Sequence, residues 1–234
     1  MSEGKAPPAG YDVGVPPWAG TWPAGTRFDP ELLAHGDRRN VVDRYRYWRL
    51  DEIVADLDTR RHAFHVAIEN WQHDFNIGSV VRTANAFLAA RVHIVGHKRW
   101  NRRGAMVTDR YQHIDHHETV EAFAEWAEAA RLPLVGVDNL PGAEAIETAT
   151  LPRDCVLVLG QEGPGLSDRM REACGPTLSI AQFGSTRSIN AGAAAAIAMH
   201  TWVRQHVVPQ HALAPVRRND DTEEPPAPPD HDGA

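Results

Sequence analysis

The sequence lacks the features that define several common protein classes. It has only two cysteines in 234 residues, too few for a disulfide framework, so Cys155 and Cys174 are predicted to be small core residues. No run of eighteen apolar residues occurs, which argues against a membrane-spanning helix. Residues 1–25 are rich in proline, glycine and tryptophan and lack the apolar segment of a secretory signal. We therefore predict a cytoplasmic protein without a membrane partner.

Common fingerprints for phosphate and metal binding are also missing. The three glycines of residues 160–165 do not form the G-x-G-x-x-G pattern, and no Lys-Ser/Thr pair completes a phosphate-binding loop. Thirteen histidines are present, but the densest group, His113-x-x-His116-His117, lacks a fourth ligand at diagnostic spacing. The sequence therefore predicts no metal site and disfavours ATP or a phosphorylated dinucleotide as the ligand.

The net charge of −7 is concentrated at one end of the chain. Residues 219–234 carry six acidic side chains and no lysine or arginine, so the preceding residues hold all 24 lysines and arginines but only 25 of the 31 acidic residues. Residues 211–234 are predicted to be a disordered, acidic, proline-rich tail. The rest of the chain is close to neutral and can carry basic patches for an anionic partner.

Four segments are predicted along the chain. Residues 1–27 are predicted to be a flexible arm rich in proline and tryptophan, which either stays loose or docks on a partner through its tryptophans. Residues 28–61 are predicted to form a helical extension. Residues 62–210 are predicted to form the main domain, and the acidic tail follows it.

Two basic segments are candidates for RNA contact. In residues 38–49, arginines that include Arg38 and Arg39 are interleaved with aromatic residues. This pattern is typical of RNA binding. A solvated helix whose aromatic residues face the core explains it equally well. In residues 97–104, one tryptophan lies among a histidine and four further basic residues: Lys98, Arg99, Arg102 and Arg103. Because this second segment follows a predicted strand, RNA contact is favoured there over a merely solvated loop.

Strand and helix signals alternate through the main domain. Apolar runs such as residues 92–95 and 134–137 indicate strands, and the spacing of apolar residues in 77–90 and 119–131 indicates helices. Residues 69–76 are predicted to be a polar loop. This alternation predicts an α/β fold, with a parallel sheet and helices on both faces.

Two glycine-containing loops follow the last two predicted strands. Residues 155–159 are continuously apolar, as in a strand buried on both faces, and the first loop begins at Gly160; Ser167 or Asp168 is predicted to cap the next helix. The second loop, residues 181–190, leads into an alanine-rich helix capped by Ser188 or Asn190. Both loops should therefore lie at the carboxyl edge of the sheet, where small ligands bind.

Three ordered motifs carry a resemblance to a known family. They are NIGSVVRTA at residues 76–84, LVLGQEGPGLS at 157–167 and IAQFGSTRSIN at 180–190. Together they resemble the signature motifs of the SpoU (TrmH-like) RNA ribose methyltransferases of the SPOUT superfamily. Their order across the main domain makes the match far more specific than any one motif.

The resemblance implies a fold, a cofactor and a set of site residues. It implies a deep C-terminal trefoil knot within about residues 155–206, which holds S-adenosylmethionine, and methyl transfer to a ribose 2′-hydroxyl of tRNA or rRNA. The implied catalytic residues are Asn76, Arg82, Glu162, Ser188 and Asn190. The implied cofactor-binding residues are Asp138, Leu159, Gly160, Ile180, Gln182, Gly184 and Ile189. Because a guanidinium is not deprotonated in proteins, Arg82 is interpreted as an electrostatic stabiliser rather than a base.

The resemblance also implies a homodimer with RNA as the other partner. The alanine-rich final helix, with Trp202 as an aromatic anchor, is predicted to pack against its copy, although it could instead pack only on its own sheet. A knotted RNA-binding or assembly protein without turnover is the alternative function. The five implied catalytic residues together favour the enzyme, because a binding module does not need them all.

Overall fold

A computed structural model describes residues 14–72 and 76–208. Parts of the predicted arm (1–13) and the whole predicted tail (211–234) lie outside the described residues. The chain divides into two compact units, one within Met1–Ile53 and the other within Val54–Leu213. We refer to them as the N-terminal unit and the sheet unit. The predicted boundary at residue 61 stays a prediction.

Short helices and reverse turns build the N-terminal unit. Helix α1 (Pro30–His35) begins with Asp29, whose carboxylate accepts a hydrogen bond of 2.9 Å from the Glu31 amide, and it ends before Gly36. A 3-10 turn at Asp43–Tyr45 follows, and helix α2 (Leu50–Asp58) begins in this unit and continues into the sheet unit. The described part of the predicted arm packs within this unit, because Trp18 lies edge-on to Tyr47 with ring centroids 5.3 Å apart.

Seven parallel strands form the sheet of the second unit, in agreement with the predicted α/β fold. They are β1 (His65–Asn70), β2 (Val92–Gly96), β3 (Ile114–His117), β4 (Leu134–Val137), β5 (Glu144–Ala145), β6 (Val156–Leu159) and β7 (Thr177–Ser179). Their spatial order is β3-β2-β1-β6-β4-β7-β5. The helices of this unit are α3 (Ile77–Ala86), α4 (Val120–Ala130), α5 (Asp168–Ala173) and α6 (Ala191–His206).

Helices cover both faces of the sheet, as predicted. Side chains alternate along each strand, so Val66 and Ile68 join the core with α3 and α6, whereas Ala67 joins the core with α4 and α5. Burial of Cys155 and Cys174 raises the pKa of each thiol to about 12, and both are free core cysteines, as predicted.

Trp202 is a residue of the core and not of the surface. Its side chain is only 1% exposed, its ring centroid lies 4.5 Å from that of Phe64, and its indole N–H donates to the Pro152 carbonyl at 3.1 Å. The prediction that Trp202 is free to anchor a dimer is therefore wrong. Helix α6 instead turns an outward stripe to the surface, made of Ala193, Ile197, His200 and Arg204.

The helix starts agree with the capping residues that the sequence indicated. The Ser167 hydroxyl accepts a hydrogen bond of 3.2 Å from the Met170 amide at the start of α5. The Asn190 carboxamide oxygen accepts from the Gly192 amide at 2.9 Å at the start of α6. Short polar side chains satisfy amides that have no partner within their own helix.

Three local predictions were wrong. The sequence pattern predicts no strand at either sheet edge, where β3 pairs with β2 and β5 pairs with β7. Asp115, His116 and His117 do not resemble a buried strand, and β5 has only two residues. Glu69 and Asn70, which are predicted to begin a polar loop, instead end β1 and are fully buried. Helix α3 ends at Ala86 rather than near residue 90, since the chain reverses through Leu88, whose φ is +55°.

No helix among residues 14–72 and 76–208 combines the length and apolar character needed to cross a lipid bilayer.

Candidate active site

The first glycine loop (residues 160–166) folds back on itself directly after β6. The backbones of Gln161 and Gly165 exchange hydrogen bonds of 3.0 and 3.1 Å. A Cβ added to Gly160 would lie 2.2 Å from the Gly165 carbonyl carbon and 2.3 Å from the Leu166 nitrogen. Gly165 has φ +72°, which favours glycine. This tight reversal therefore needs glycine at both ends.

Two carboxylates hold this loop in place. Asp138, just after β4, accepts a hydrogen bond of 2.8 Å from the Leu166 amide. Glu69, at the end of β1, accepts from the Ser167 amide at 2.8 Å and the Ser167 hydroxyl at 2.7 Å, and from the Trp71 indole at 2.7 Å. Sequence reasoning missed Glu69. Its signal was a carboxylate directly after the apolar residues 66–68, because a carboxylate that continues a buried strand needs a buried partner.

The second glycine loop, predicted as residues 181–190, spans residues 180–190 and connects β7 to α6. The Asn139 side chain donates a hydrogen bond of 2.9 Å to the Arg187 carbonyl, and the Ala181 amide donates to the Glu147 carboxylate at 2.9 Å. Most of this loop is exposed, and Phe183 is 97% exposed. The loop is therefore attached near both ends and open between them.

The two glycine loops enclose a cleft of about 440 Å³. This lies within the range of roughly 300–1,000 Å³ that is typical of small-molecule sites. Six of the seven predicted cofactor-binding residues line it: Asp138, Leu159, Gly160, Ile180, Gln182 and Ile189. The seventh, Gly184, lies in the exposed part of the second loop and does not line the cleft.

Three of the five predicted catalytic residues form one hydrogen-bond chain. The Asn76 amide group donates to the Glu162 carboxylate at 2.7 Å, and the Asn190 amide group donates to the Asn76 carbonyl oxygen at 2.8 Å. Asn76 is only 8% exposed, whereas Glu162 and Asn190 line the cleft. All three sequence motifs therefore meet at one wall of the cleft, although 86 and 114 residues separate the bonded pairs.

The other two predicted catalytic residues lie outside this chain. Ser188 is exposed and lines the cleft. Arg82 lies on the exposed side of α3, six residues after Asn76, and its guanidinium has no hydrogen bond or ion pair with the residues that the structure describes. The structure thus leaves Arg82 available to an external anion.

The basic loop (residues 97–104) packs against the start of α3. A Cβ added to Gly78 would lie 2.7 Å from the Ala105 nitrogen, and one added to Gly104 would lie 3.0 Å from the Ser79 nitrogen. Lys98, Arg99, Arg102 and Arg103 are all exposed. The first motif therefore connects the predicted RNA-binding cations to the hydrogen-bond chain at the cleft.

The two predicted RNA-binding arginines of the N-terminal unit differ. Arg38 is exposed. The Arg39 guanidinium donates two hydrogen bonds to the fully buried Asp37, at 2.9 and 2.7 Å, and a third to the Trp48 carbonyl at 2.8 Å. Burial acts to raise the pKa of Asp37, but the hydrogen bonds from Arg39 and from backbone amides hold it below 3.8. Arg39 is thus committed to this ion pair, which is a structural role.

Three histidines form a row on the opposite sheet face, beneath α4. His65 Nδ1 lies 2.9 Å from His93 Nε2, and His93 Nδ1 lies 3.0 Å from His117 Nε2. Trp126 covers the fully buried His93 at a ring-centroid distance of 4.1 Å. Burial and neighbouring histidines lower the pKa of His93 to about 2, and burial lowers that of His65 to about 4 and also depresses that of His117.

The three histidines of the segment His113-x-x-His116-His117 have separate partners. His113 pairs with Asp58 at 2.8 Å, and the His116 ring lies 2.7 Å from the Gly96 carbonyl. His117 belongs to the histidine row. In the described part of the chain, no three His, Cys, Asp or Glu residues are grouped to hold a metal ion.

Fold and site together define an α/β protein with a small-molecule cleft between two glycine loops at the carboxyl edge of a parallel sheet. The model of the SpoU rRNA methylase family matches residues 63–200. The chain belongs to this family.

Curated relatives and solved structures agree with this assignment. The chain is 30% identical over 189 residues to an uncharacterized tRNA/rRNA methyltransferase of Mycolicibacterium vanbaalenii, covering 74% of this chain and 58% of the relative. It is likewise 30% identical over 175 residues to one of Mycobacterium ulcerans, covering 70% and 54%. The chain thus spans little more than half the length of these relatives.

Two solved structures illustrate the structural likeness. The SpoU methyltransferase AviRb from Streptomyces viridochromogenes, in complex with the cofactor AdoMet, matches with a TM-score of 0.57 and 27% identity, over 64% of this chain and 60% of that one. The A. aeolicus TrmH/SpoU tRNA modifying enzyme matches with a TM-score of 0.60 and 20% identity, over 67% and 82%, and it supports the fold alone.

Proposed function

We propose that this chain is an S-adenosylmethionine-dependent RNA methyltransferase that modifies a ribose 2′-hydroxyl of tRNA or rRNA. The observation that carries the proposal is the cleft between the glycine loops, with Asn76, Glu162 and Asn190 hydrogen-bonded at its wall. AdoMet bound to AviRb and the names of the curated relatives support it.

The residues of the cleft fit S-adenosylmethionine. Leu159, Ile180 and Ile189 offer apolar contact for an adenine ring, and Gly160 permits the tight backbone reversal of the loop that forms one side of the cleft. Arg187 is the cationic side chain among the described residues that line the cleft, and it suits a carboxylate. We propose that these residues hold the nucleoside mainly through backbone groups.

The chemistry requires alignment of the hydroxyl more than strong activation of the methyl group. When bound, the cofactor supplies a methyl group that its sulfonium charge already activates. Asn76, fixed between Glu162 and Asn190, is proposed to position the ribose. Arg82 is proposed to stabilise the negative charge that develops on the 2′-oxygen, while an RNA phosphate or a water takes the proton.

The knot and the homodimer are parts of the same proposal. Strand β7 lies between β4 and β5, which are consecutive in the chain, an arrangement that suits a threaded C-terminal segment. The outward stripe of α6 is the proposed dimer surface, and Arg38 or Arg99 of one copy is proposed to reach RNA bound to the other. Arg39 is withdrawn from this role because of its ion pair with Asp37. A cytoplasmic location remains a prediction.

Light scattering and mixed dimers test the dimer. A dimer should give twice the chain mass of 25.9 kDa. If Arg82 and Asn190 of different copies serve one site, mixing Arg82→Ala and Asn190→Ala subunits restores about one working site per dimer. A fully active monomer would contradict a shared site.

Cofactor binding and RNA modification are measured separately. Calorimetry with S-adenosylmethionine and its demethylated product tests the cleft, and transfer of a labelled methyl group into total tRNA and total rRNA tests the enzyme. Resistance of the labelled linkage to alkali distinguishes ribose from base methylation, because alkaline cleavage of RNA needs a free 2′-hydroxyl. RNA binding without transfer would favour the alternative, an RNA-binding or assembly protein.

A further inference from the structure

Two consecutive residues after the basic loop have an unusual backbone. Met106 (φ +47°, ψ +43°) and Val107 (φ +69°, ψ +1°) are both in the left-handed region. Non-glycine residues seldom adopt this conformation, and a β-branched residue such as valine is an outlier there. Strain of this kind persists only where the surrounding structure enforces it, and it is concentrated at functional sites.

The strained pair presents apolar side chains to solvent. Met106 is 57% exposed and Val107 is 55% exposed. We call this pair the apolar tip. It rests on a fixed base, because the Thr108 hydroxyl donates a hydrogen bond of 2.6 Å to the Ala105 carbonyl, and Ala105 is buried against Gly78 of α3. The fold therefore holds two apolar side chains outward at a cost in backbone strain.

Positive charge surrounds the apolar tip. Arg102, Arg103 and Arg110 are exposed within four residues of it, and Lys98 and Arg99 belong to the same basic loop. Asp109 pairs with Arg102 at 3.2 Å, and this leaves an excess of cations. Two copies of such a surface would repel each other, whereas a polyanion with apolar faces complements it.

The base of the tip also adjoins the wall of the cleft. Gly104 packs on the Ser79 backbone, and a Cβ on Gly192 would lie 3.3 Å from Ser79 Cβ and 3.8 Å from the Asn76 carboxamide oxygen. The start of α3 therefore lies between the tip and the hydrogen-bond chain. An RNA strand that lies across the basic loop would bring a neighbouring nucleotide to the cleft.

We propose that the apolar tip is a wedge that enters between adjacent bases of unpaired RNA and exposes the target nucleotide to the cleft. This inference rests on the proposed function. Apolar side chains that enter a base step unstack it, and the flanking arginines would hold the phosphates on either side. Freeing a nucleotide from its stack costs least in unpaired segments, so a wedge of this kind would act there. The tip would thus select for single-stranded or looped RNA.

The test replaces the apolar side chains and keeps the backbone conformation. In the double variant Met106→Asn/Val107→Asn, asparagine tolerates the left-handed region, so the melting temperature should hold or rise by about 2–4 °C. Affinity for a fluorescein-labelled 20-nucleotide single-stranded RNA of mixed sequence should fall about tenfold, because the variant loses the apolar contact with the opened base step. Affinity for the same strand in a full duplex should change less than about twofold.

Control variants separate the wedge from charge, surface and assembly effects. Arg103→Ala should weaken binding of single strand and duplex alike. Val42→Asn removes another exposed valine, one with φ −64°, and should change neither melting temperature nor affinity. Unchanged single-strand affinity in the double variant, or equal losses for both RNAs, would overturn the wedge. If the double variant converts a dimer to a monomer, the apolar tip contacts a second copy of the chain rather than RNA, and the wedge is overturned as well. Because binding is measured without methyl transfer, failure of the proposed enzyme activity would be seen separately.

Discussion

Mild acid should destabilise this protein through the histidine row. His93 is fully buried, and its pKa is lowered from 6.5 to about 2 by burial and by neighbouring histidines. In the unfolded chain His93 takes up a proton near pH 6.5, whereas in the folded protein it stays neutral. The unfolded state therefore binds more protons below pH 6.5, and the free energy of unfolding must fall as the pH falls.

The magnitude follows from the size of the pH interval. Between pH 6.5 and 5.0, a histidine that stays neutral in the fold costs about 1.4 kcal/mol per pH unit, or about 2 kcal/mol. His65, whose pKa is lowered by burial to about 4, adds a smaller amount because it is partly exposed. We expect a loss of about 2–4 kcal/mol in total, a large part of the stability of an ordinary domain.

Urea unfolding at several pH values and constant ionic strength, followed by circular dichroism, measures this loss. The variant His93→Gln keeps a hydrogen-bonding side chain that does not titrate, so its loss between pH 6.5 and 5.0 should be about 2 kcal/mol smaller than that of the wild type. The control His35→Gln removes an exposed histidine, and its free energy of unfolding should depend on pH as that of the wild type does. If the free energy of unfolding falls equally with pH in His93→Gln and in the wild type, His93 does not stay neutral in the folded protein, and the reasoning is refuted.

Three substitutions test the candidate site. Gly160→Ala places a methyl group on the backbone of the first glycine loop, so calorimetry should show at least about a tenfold loss of S-adenosylmethionine affinity; unchanged affinity would remove this loop from the cofactor site. Glu69→Gln points an amide donor at groups that already donate, so it should lower the free energy of unfolding by about 1–3 kcal/mol. Because Glu69 holds the first glycine loop, the variant should also raise the KM for the cofactor more than it lowers kcat. A loss of kcat alone would contradict the role of Glu69 as a positioning residue. Arg82→Ala should lower kcat about a hundred- to a thousandfold with little change in cofactor affinity, whereas the exposed control Arg153→Ala should be neutral; parallel losses of rate and cofactor affinity would place Arg82 in the cofactor pocket.

Features that depend on near neighbours could be predicted from the sequence. The continuous apolar run that contains β6 predicted a strand buried on both faces. Ser167 and Asn190 predicted helix starts, because each needs only an amide two or three residues further on. The two glycine loops and their common sheet edge followed from strand order along the chain and from parallel pairing.

Features that depend on distant contacts could not be predicted in this way. The polar strand β3 forms because β2 offers it a hydrogen-bonding edge. Arginine and tryptophan are residue types that often contact partners at a surface. Within this fold, however, Arg39 pairs with Asp37 and Trp202 packs against Phe64. Nothing local to Met106 indicates a left-handed backbone.

Local sequence features are enough to predict a parallel α/β fold with two glycine loops, because the spacing of apolar residues, the helix caps and the glycines act over a few residues. The hydrogen bonds of Asn76 with Glu162 and Asn190, and those of Glu69 with the first glycine loop, follow from the folded arrangement and not from local sequence. These contacts join residues 86 to 114 positions apart. Such pairs meet only when strand order and helix packing bring them together, and a buried carboxylate or amide then requires the partner that the fold supplies.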